Sequence, residues 1–332
     1  MTKRIVDLRS QQPLVDIASY GRKGPGARGL SKPEVESISR TVRRVPEVMV
    51  KVSGGARTLR GVEDHLDYVS REGEGEIETD DGRRIQETGF ARDLVLDWDL
   101  DLDARRWHTA RGVAKGRKPP KLVHNVVFSM PKGTPPDKLQ NAVRVFAREK
   151  FALQHRYAMA LHTDQGHPHV HLVVKAVSEQ GVRLNIRKAT LREWRRDFAR
   201  YLRELGVEAN ATERAVRGET KTTKSDGIYW AAGRGESTHY RDRVQATVQE
   251  LKAGELKPEA GKTTLMKTRK AVVAGWMSLA DILEDRGYAD LASAARRFSS
   301  QMPPPFTKKE LMADEILAGA RSRQRAPTPP TR

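Results

Sequence analysis

The 332-residue chain contains no cysteine. That excludes a disulfide framework, cysteine-ligated zinc, iron–sulfur clusters and a thiol nucleophile. Long apolar runs are also missing. The longest, Ala271 to Ala280, has ten residues and includes Gly275 and Ser278, far short of the ~20 needed to span a bilayer. The opening MTKRIVDLRSQQPL holds no apolar stretch of signal-peptide length, so the expected location is the cytoplasm. Acidic residues are in deficit: 43 Asp and Glu stand against 61 Lys and Arg, a formal net charge of +18. Such an excess favours a polyanionic partner, most often nucleic acid or an anionic membrane surface. There is no internal repeat and no HExxH, which argues against a zincin. Gly261-Lys262-Thr263 resembles the end of a phosphate-binding loop. Leu256, however, stands where the first glycine must be, and no strand precedes it.

What is present reads as two domains, or as one with sizeable extensions. Residues 1–45 are basic and turn-rich, and GRKGPGARG (Gly21 to Gly29) reads as a flexible arm. A strand is expected at Glu47 to Val52, with Val48, Val50 and Val52 on one face, ending at Gly54-Gly55. Arg60 to Arg71 has helical spacing of Leu59, Val62, Leu66 and Val69, with Tyr68 off the stripe. Glu72 to Arg83 is charged and glycine-rich, hence a loop. Arg105 to Asn125 carries seven Lys/Arg and no acid, and reads as a basic loop able to track phosphates. Leu122 to Met130 is strand-like, and Thr134 is placed to cap a helix running to Phe151. Arg156 to Leu161 and Pro168 to Val174 are strands joined by Thr163-Asp164-Gln165-Gly166. Leu191, Trp194, Phe198, Leu202 and Leu205 mark a helix with Thr190 as its cap.

Strands and helices in this mixed order predict an α+β fold: an antiparallel central sheet flanked by helices. An all-helical C-terminal region follows, with helices at Asp242 to Leu251, Thr268 to Asp285, Ala289 to Ser299 and Thr307 to Ala318. The expected organisation is an arm at 1–45, a main domain at 46–235, a helical region at 236–320 and a disordered basic tail at 321–332. Arg183 to Lys224 holds twelve Lys/Arg against six Asp/Glu. Trp194, Phe198 and Tyr201 interleave with them, but lie at or beside the apolar stripe and are expected in the core.

The nine histidines are unevenly spread, with four of them in the ten residues from His162 to His171. A strand repeats every two residues, so His169 and His171 share a face while Val170 and Leu172 point into a core. A hairpin across Asp164 to Gly166 returns His162 beside that pair. Three imidazoles then form an open metal site with free positions for water or substrate. Asp164 or His167 could hold a ligand's second nitrogen. The plainer alternatives are a histidine-rich surface turn, or a closed structural zinc with His167 as fourth ligand. A metal in a basic protein suggests phosphate chemistry, with either water or a tyrosine as nucleophile. Of seven tyrosines, Tyr68 is the best placed.

HTDQGHPHVHLVVKA (His162 to Ala176) resembles motif III of conjugative relaxases, members of the HUH superfamily of single-strand DNA endonucleases. VSGGARTLRGVEDHLDYVSR (Val52 to Arg71) is similar to motif I of the MOBP type, especially its T-DNA border endonuclease branch. VHNVVFSMPKGTP (Val123 to Pro135) resembles motif II, and LNIRKATLREWRRDFARYLRELGVEANAT (Leu184 to Thr212) the helix that follows motif III. The tyrosine precedes the histidine pair, as in relaxases and unlike rolling-circle replication initiators. The long N-terminal arm departs from the pattern.

The resemblance implies a relaxase-like α+β fold and a cytoplasmic bacterial enzyme that can pass to a recipient cell with the DNA. It acts on single-stranded DNA at an origin of transfer, with relaxosome accessory proteins and a type IV coupling protein as partners. Tyr68 maps onto the nucleophile, giving a 5′-phosphotyrosine and a free 3′-hydroxyl. Ser129 maps onto the serine that helps hold DNA. His162, His169 and His171 would bind one divalent cation, Mg²⁺ or Mn²⁺ by resemblance, though imidazoles suit Zn²⁺ and other transition metals better. Asp164 is the nearest carboxylate, as general base or, better, as an orienting group. Phosphate contacts are expected from Arg105, Arg106, Arg111, Lys115, Arg117, Lys118 and Lys121, and from Arg192, Arg195 and Arg196. Arg321, Arg323 and Arg325 resemble a type IV export signal. The alternatives are a hydrolytic metal-dependent nuclease, a replication initiator, or a non-catalytic nucleic-acid binder with a structural metal.

Overall fold

The computed structural model describes residues 30–109, 118–164, 166–219 and 237–325. They fall into two compact units. One is Arg43–Ala211; the other joins residues up to Val42 with those from Thr212 onward. In chain order the helices are α1 Lys32–Val42, α2 Leu59–Ser70, α3 Phe90–Asp97, α4 Leu100–Thr109, α5 Pro136–Phe151, α6 Lys188–Glu204, α7 Thr238–Lys252, α8 Lys262–Asp285, α9 Ala289–Ser300 and α10 Lys308–Arg325. The strands are β1 Met49–Gly54, β2 Ile77–Thr79, β3 Arg84–Ile85, β4 Val123–Ser129, β5 Tyr157–His162 and β6 His169–Lys175.

The unit Arg43–Ala211 is built on one six-stranded sheet in the order β1-β4-β6-β5-β2-β3. Every neighbouring pair is antiparallel. This is the α+β sheet the sequence predicts. β6 lies between β4 and β5 and is buried along its whole length, so both its faces need apolar cover.

Val50, Val126, Phe128, Val170, Leu172 and Val174 supply one face. They pack under Leu139, Val143 and Phe146 of α5 and Trp194, Phe198 and Leu202 of α6. Phe128 anchors this layer, with ring centroids 4.8 Å from Phe146 and 5.1 Å from Phe198. The expected core role of Trp194, Phe198 and Tyr201 is what the structure has. The other face carries Val123, Ala158, Ala160 and Val173. It is covered by Val62, Leu66 and Val69 of α2, Phe90, Leu94 and Val95 of α3, and Leu100 of α4.

Several local expectations need correction. Glu72 to Arg83 is not all loop, since it holds β2. The basic segment from Arg105 begins as the end of α4 and closes as the start of β4, while 110–117 lie outside the described residues. Thr134 does not cap α5. Its hydroxyl donates to the Pro131 carbonyl at 2.9 Å, and Pro135 takes the cap position with no side-chain bond. Thr190 is likewise three residues inside α6, where its hydroxyl accepts from the Arg187 amide at 3.3 Å.

The second unit is helical. α1 falls where an arm was expected. It starts with a Ser31/Glu34 capping pair: the Ser31 amide donates to Glu34 Oε2 at 2.8 Å and the Ser31 hydroxyl at 2.7 Å, closing orphan donors at the helix start. Ile38 of α1 joins Val272, Trp276, Leu279 and Leu283 of α8 and Ala292, Ala295 and Phe298 of α9 in one core. The Trp276 indole N–H donates to the Val216 carbonyl at 2.8 Å. Residues 1–29 and 326–332 lie outside the described residues. No helix among the described residues is long and apolar enough to cross a membrane.

Candidate active site

The hairpin of β5 and β6 sets His162 opposite His169 and Ala160 opposite His171. The strand period puts His169, His171 and Val173 on one face, the side covered by α2. The three imidazoles meet there, with ring centroids 4.7 Å (His162–His171), 5.2 Å (His162–His169) and 5.2 Å (His169–His171) apart. One nitrogen from each lies within 4.8 Å of the others, and all three residues are buried. Burial, with His162 and His169 beside it, pushes the His171 imidazole down to about 3. Burial also lowers His169. Neutral rings with lone pairs are what a cation needs.

Each ring's other nitrogen has a protein neighbour. His162 Nε2 lies 2.7 Å from the Val69 carbonyl and must donate to it, leaving Nδ1 for the cluster. His169 Nδ1 lies 3.3 Å from the His167 carbonyl, leaving Nε2. His171 Nδ1 lies 3.1 Å from Asn125 Nδ2, leaving Nε2 again. Three imidazoles whose outer nitrogens are held by protein groups fit the donor set of a transition-metal site. These are the three histidines named from the sequence, and the structure brings all three together.

Tyr68 reaches the same place from α2. The chain turns at Gly55, whose φ is +136° and where a Cβ would come 2.2 Å from the Val123 carbonyl. Only glycine fits so close a backbone approach. Thr58 then caps α2 by accepting from the Gly61 amide at 3.1 Å. Val62, Leu66 and Val69 face the sheet, so Tyr68 is turned outward and is 63% exposed. Its ring centroid lies 6.3 Å from that of His171, nearly perpendicular, and it stacks at 6.5 Å on His65.

Two contacts tie the end of α2 to the histidine hairpin. One is the His162 bond to Val69, the residue after Tyr68. The other is an ion pair between Arg71 and Asp164. Desolvation works against the Asp164 charge, but its own backbone amide and Arg71 outweigh that and hold the carboxyl below the usual range. Asp164 is thus bound to Arg71. Ser129 pairs with His169 in register and is buried, its hydroxyl donating to the Pro168 carbonyl at 3.4 Å.

The expected phosphate contacts are scattered. Arg105 pairs with Asp101 at 3.2 Å. The Arg106 side chain, Arg111, Lys115 and Arg117 lie outside the described residues, while Lys118 is exposed. Lys121 donates to the Gly54 carbonyl at 2.8 Å, bracing the glycine turn. Arg192, Arg195 and Arg196 sit on α6, across the sheet from Tyr68, and Arg195 donates to the Val50 carbonyl at 3.1 Å. Arg321 is exposed on α10, and the side chains of Arg323 and Arg325 lie outside the described residues. Sequence reasoning missed His65, Arg71 and Asn125. The helical spacing of His65 and Tyr68 could have found the first.

Residues 76–207 match the relaxase family described as MobA/VirD2-like, nuclease domain. Over that stretch the chain is similar to a relaxase nuclease domain. The match includes all three histidines and begins after Tyr68. The chain is 26% identical to the T-DNA border endonuclease VirD2 of Rhizobium radiobacter over 190 residues, 52% of this chain and 43% of that protein. It is 28% identical to its counterpart in Agrobacterium fabrum (strain C58 / ATCC 33970) over 141 residues, 39% of this chain and 30% of that protein. It therefore spans less than half the length of these relatives. A solved chain from work on the molecular basis of vancomycin resistance transfer in Staphylococcus aureus aligns over 51% of this chain and 99% of its own, at 13% identity and a TM-score of 0.31.

Proposed function

We propose that this relaxase nicks one DNA strand at an origin of transfer by tyrosine transesterification. The observation that supports it is the meeting of three buried imidazoles with an outward-facing tyrosine on one sheet face. In the reaction Tyr68 Oη bonds to phosphorus as the bond to the 3′ oxygen breaks. The products are a 5′-phosphotyrosine and a free 3′-hydroxyl. The bond energy is kept in the ester, so rejoining needs no ATP. Nδ1 of His162 and Nε2 of His169 and His171 would hold the cation. A divalent cation bound there supplies Lewis-acid withdrawal of charge from the phosphate oxygens. The all-imidazole donor set favours a transition metal such as Mn²⁺ or Zn²⁺ over Mg²⁺.

Asp164 acts through Arg71, holding the tyrosine helix against the metal hairpin, and takes no proton. Ser129 braces the turn before His169. The substrate is single-stranded DNA, drawn by the basic surface, so binding falls steeply with salt. Relaxosome proteins and a type IV coupling protein are the partners that such a reaction requires for transfer. Arg321, Arg323 and Arg325 are the candidate export signal, and the bacterial cytoplasm is the proposed location.

The test mixes the protein with Mn²⁺ and single-stranded DNA tiled across its own gene neighbourhood, and looks for an SDS-resistant protein–DNA adduct. The expected result is an adduct that disappears with EDTA and in Tyr68→Phe. Nicked DNA that carries no adduct and persists in Tyr68→Phe would replace this reading with a water-using nuclease.

A further inference from the structure

Asn125 is an amide buried within the site. It lies on β4, 3% exposed, on the sheet face of His171 and Val173. Its Nδ2 is 2.8 Å from Ser53 Oγ and 3.1 Å from His171 Nδ1, while its Oδ1 has no hydrogen-bond partner. The buried Nε2 of His65 has none either. Yet the Asn125 side chain lies close enough to favour a proton on His65, against a larger opposing effect of burial.

Tautomer chemistry decides which way such an amide serves. If the amide N–H donates to His171 Nδ1, that nitrogen keeps its lone pair. The single proton of the neutral ring must then sit on Nε2, the nitrogen left for the histidine cluster, and the ring cannot ligate. With the amide turned end for end, Oδ1 accepts the Nδ1 proton and Nε2 gains the lone pair. The Ser53 hydroxyl, free to rotate, donates to the same oxygen. For Nε2 to ligate, the oxygen end of the amide must therefore face His171 Nδ1.

We propose that Asn125 is the positioning residue for His171, its amide oxygen accepting the Nδ1 proton and so aiming the Nε2 lone pair into the cluster. This rests on the metal-centre reading above. It goes beyond it by naming what fixes one ligand's tautomer. It also makes Asn125 a bridge between a metal ligand and His65, the ring stacked on Tyr68. An amide does this without adding charge to a buried site.

The experiment titrates Mn²⁺ alone into the full chain, by calorimetry, for the wild type, Asn125→Ala and Asn125→Asp. A long-range proton–nitrogen correlation spectrum of the metal-free protein reads the His171 tautomer. Asn125→Ala is expected to bind Mn²⁺ about 10–100-fold more weakly. Asn125→Asp, which only accepts, is expected to bind at least as tightly as the wild type. The His171 ring is expected to carry its proton on Nδ1. Asp weakening binding as much as Ala, or both variants binding like the wild type, or a proton on Nε2, overturns the proposal. If Asn125→Ala does not fold, the Asp variant and the tautomer still decide. A wild type that takes up no Mn²⁺ fails before any variant is compared, and that result removes the metal-centre reading together with this proposal.

Discussion

His162 faces two ways, and the two roles separate experimentally. One ring nitrogen is left for the cluster, and the other donates to the Val69 carbonyl at 2.7 Å. Val69 is in the last turn of α2, where carbonyls lack partners along the helix, and its residue is buried. His162→Ala and His169→Ala each remove one imidazole from the same buried cluster, so their losses of packing are similar. Only His162→Ala also strands the Val69 carbonyl, because the His169 contact to its own turn is long, at 3.3 Å. An unpartnered buried acceptor costs about 1–3 kcal/mol. In a domain of roughly 150–250 residues each kcal/mol moves the melting temperature by about 2–4 °C. His162→Ala should therefore melt about 2–12 °C below His169→Ala when both are held in EDTA. Both should lose Mn²⁺ binding in calorimetry. Equal melting temperatures for the two metal-free variants would refute the clamp. So would a His162→Ala protein that keeps wild-type Mn²⁺ affinity.

Tyr68→Phe removes a hydroxyl from a ring that is 63% exposed, so stability should change by less than ~0.5 kcal/mol while the covalent DNA adduct vanishes. A thermal melt and a denaturing gel on the same preparation check both halves. Arg71→Gln breaks a pair whose side chains are 40% and 50% exposed, which water and salt screen. Melting should hardly move and Mn²⁺ affinity should hold, but the rate of adduct formation should fall. An unchanged rate would deny the pair its positioning role. His124 is pushed down to about 4 from an ordinary 6.5 by burial, with Lys121, Arg183 and His155 adding to it. The unfolded chain then binds that proton first, so stability is full above pH 6.5 and is lost as pH falls toward 4. Urea unfolding between pH 7.5 and 4.5 should show the decline, and His124→Gln should make it shallower, with the lowered His169 and His171 supplying the rest.

The fold was legible wherever a face had to be buried. Val170, Leu172 and Val174 alternate with the histidines because β6 is covered on both sides. The α2 stripe leaves Tyr68 outside for the same reason. The elements that were missed lack that signature. β2 has three residues, too few to show a period of two. α1 was hidden by the basic, turn-rich composition before it, although Ser31-Lys32-Pro33-Glu34 has the spacing of a capping pair. Thr134 and Thr190 misled because a hydroxyl near a helix start can bond within a turn as readily as cap it.

The site was legible in its residue types and not in its orientations. Spacing alone puts three imidazoles on one face, since it follows from strand geometry and one hairpin. Which nitrogen of each ring is free depends on partners far away in the chain. Val69 is 93 residues from His162 and Asn125 is 46 from His171. The arginines of α6 show the same limit. Their spacing marks a solvated helix face, but not which side of the sheet the helix will cover, and it covers the side away from Tyr68. The consequence is physical. The tyrosine helix is held at its C-terminal end by His162 and by Asp164, both in or beside the hairpin that carries the three imidazoles. A shift that withdraws Tyr68 from the cluster must therefore break the His162 bond to Val69. That frees the ring to turn and disturbs the cluster itself, so the placement of Tyr68 and the ordering of the three imidazoles are one property of this fold.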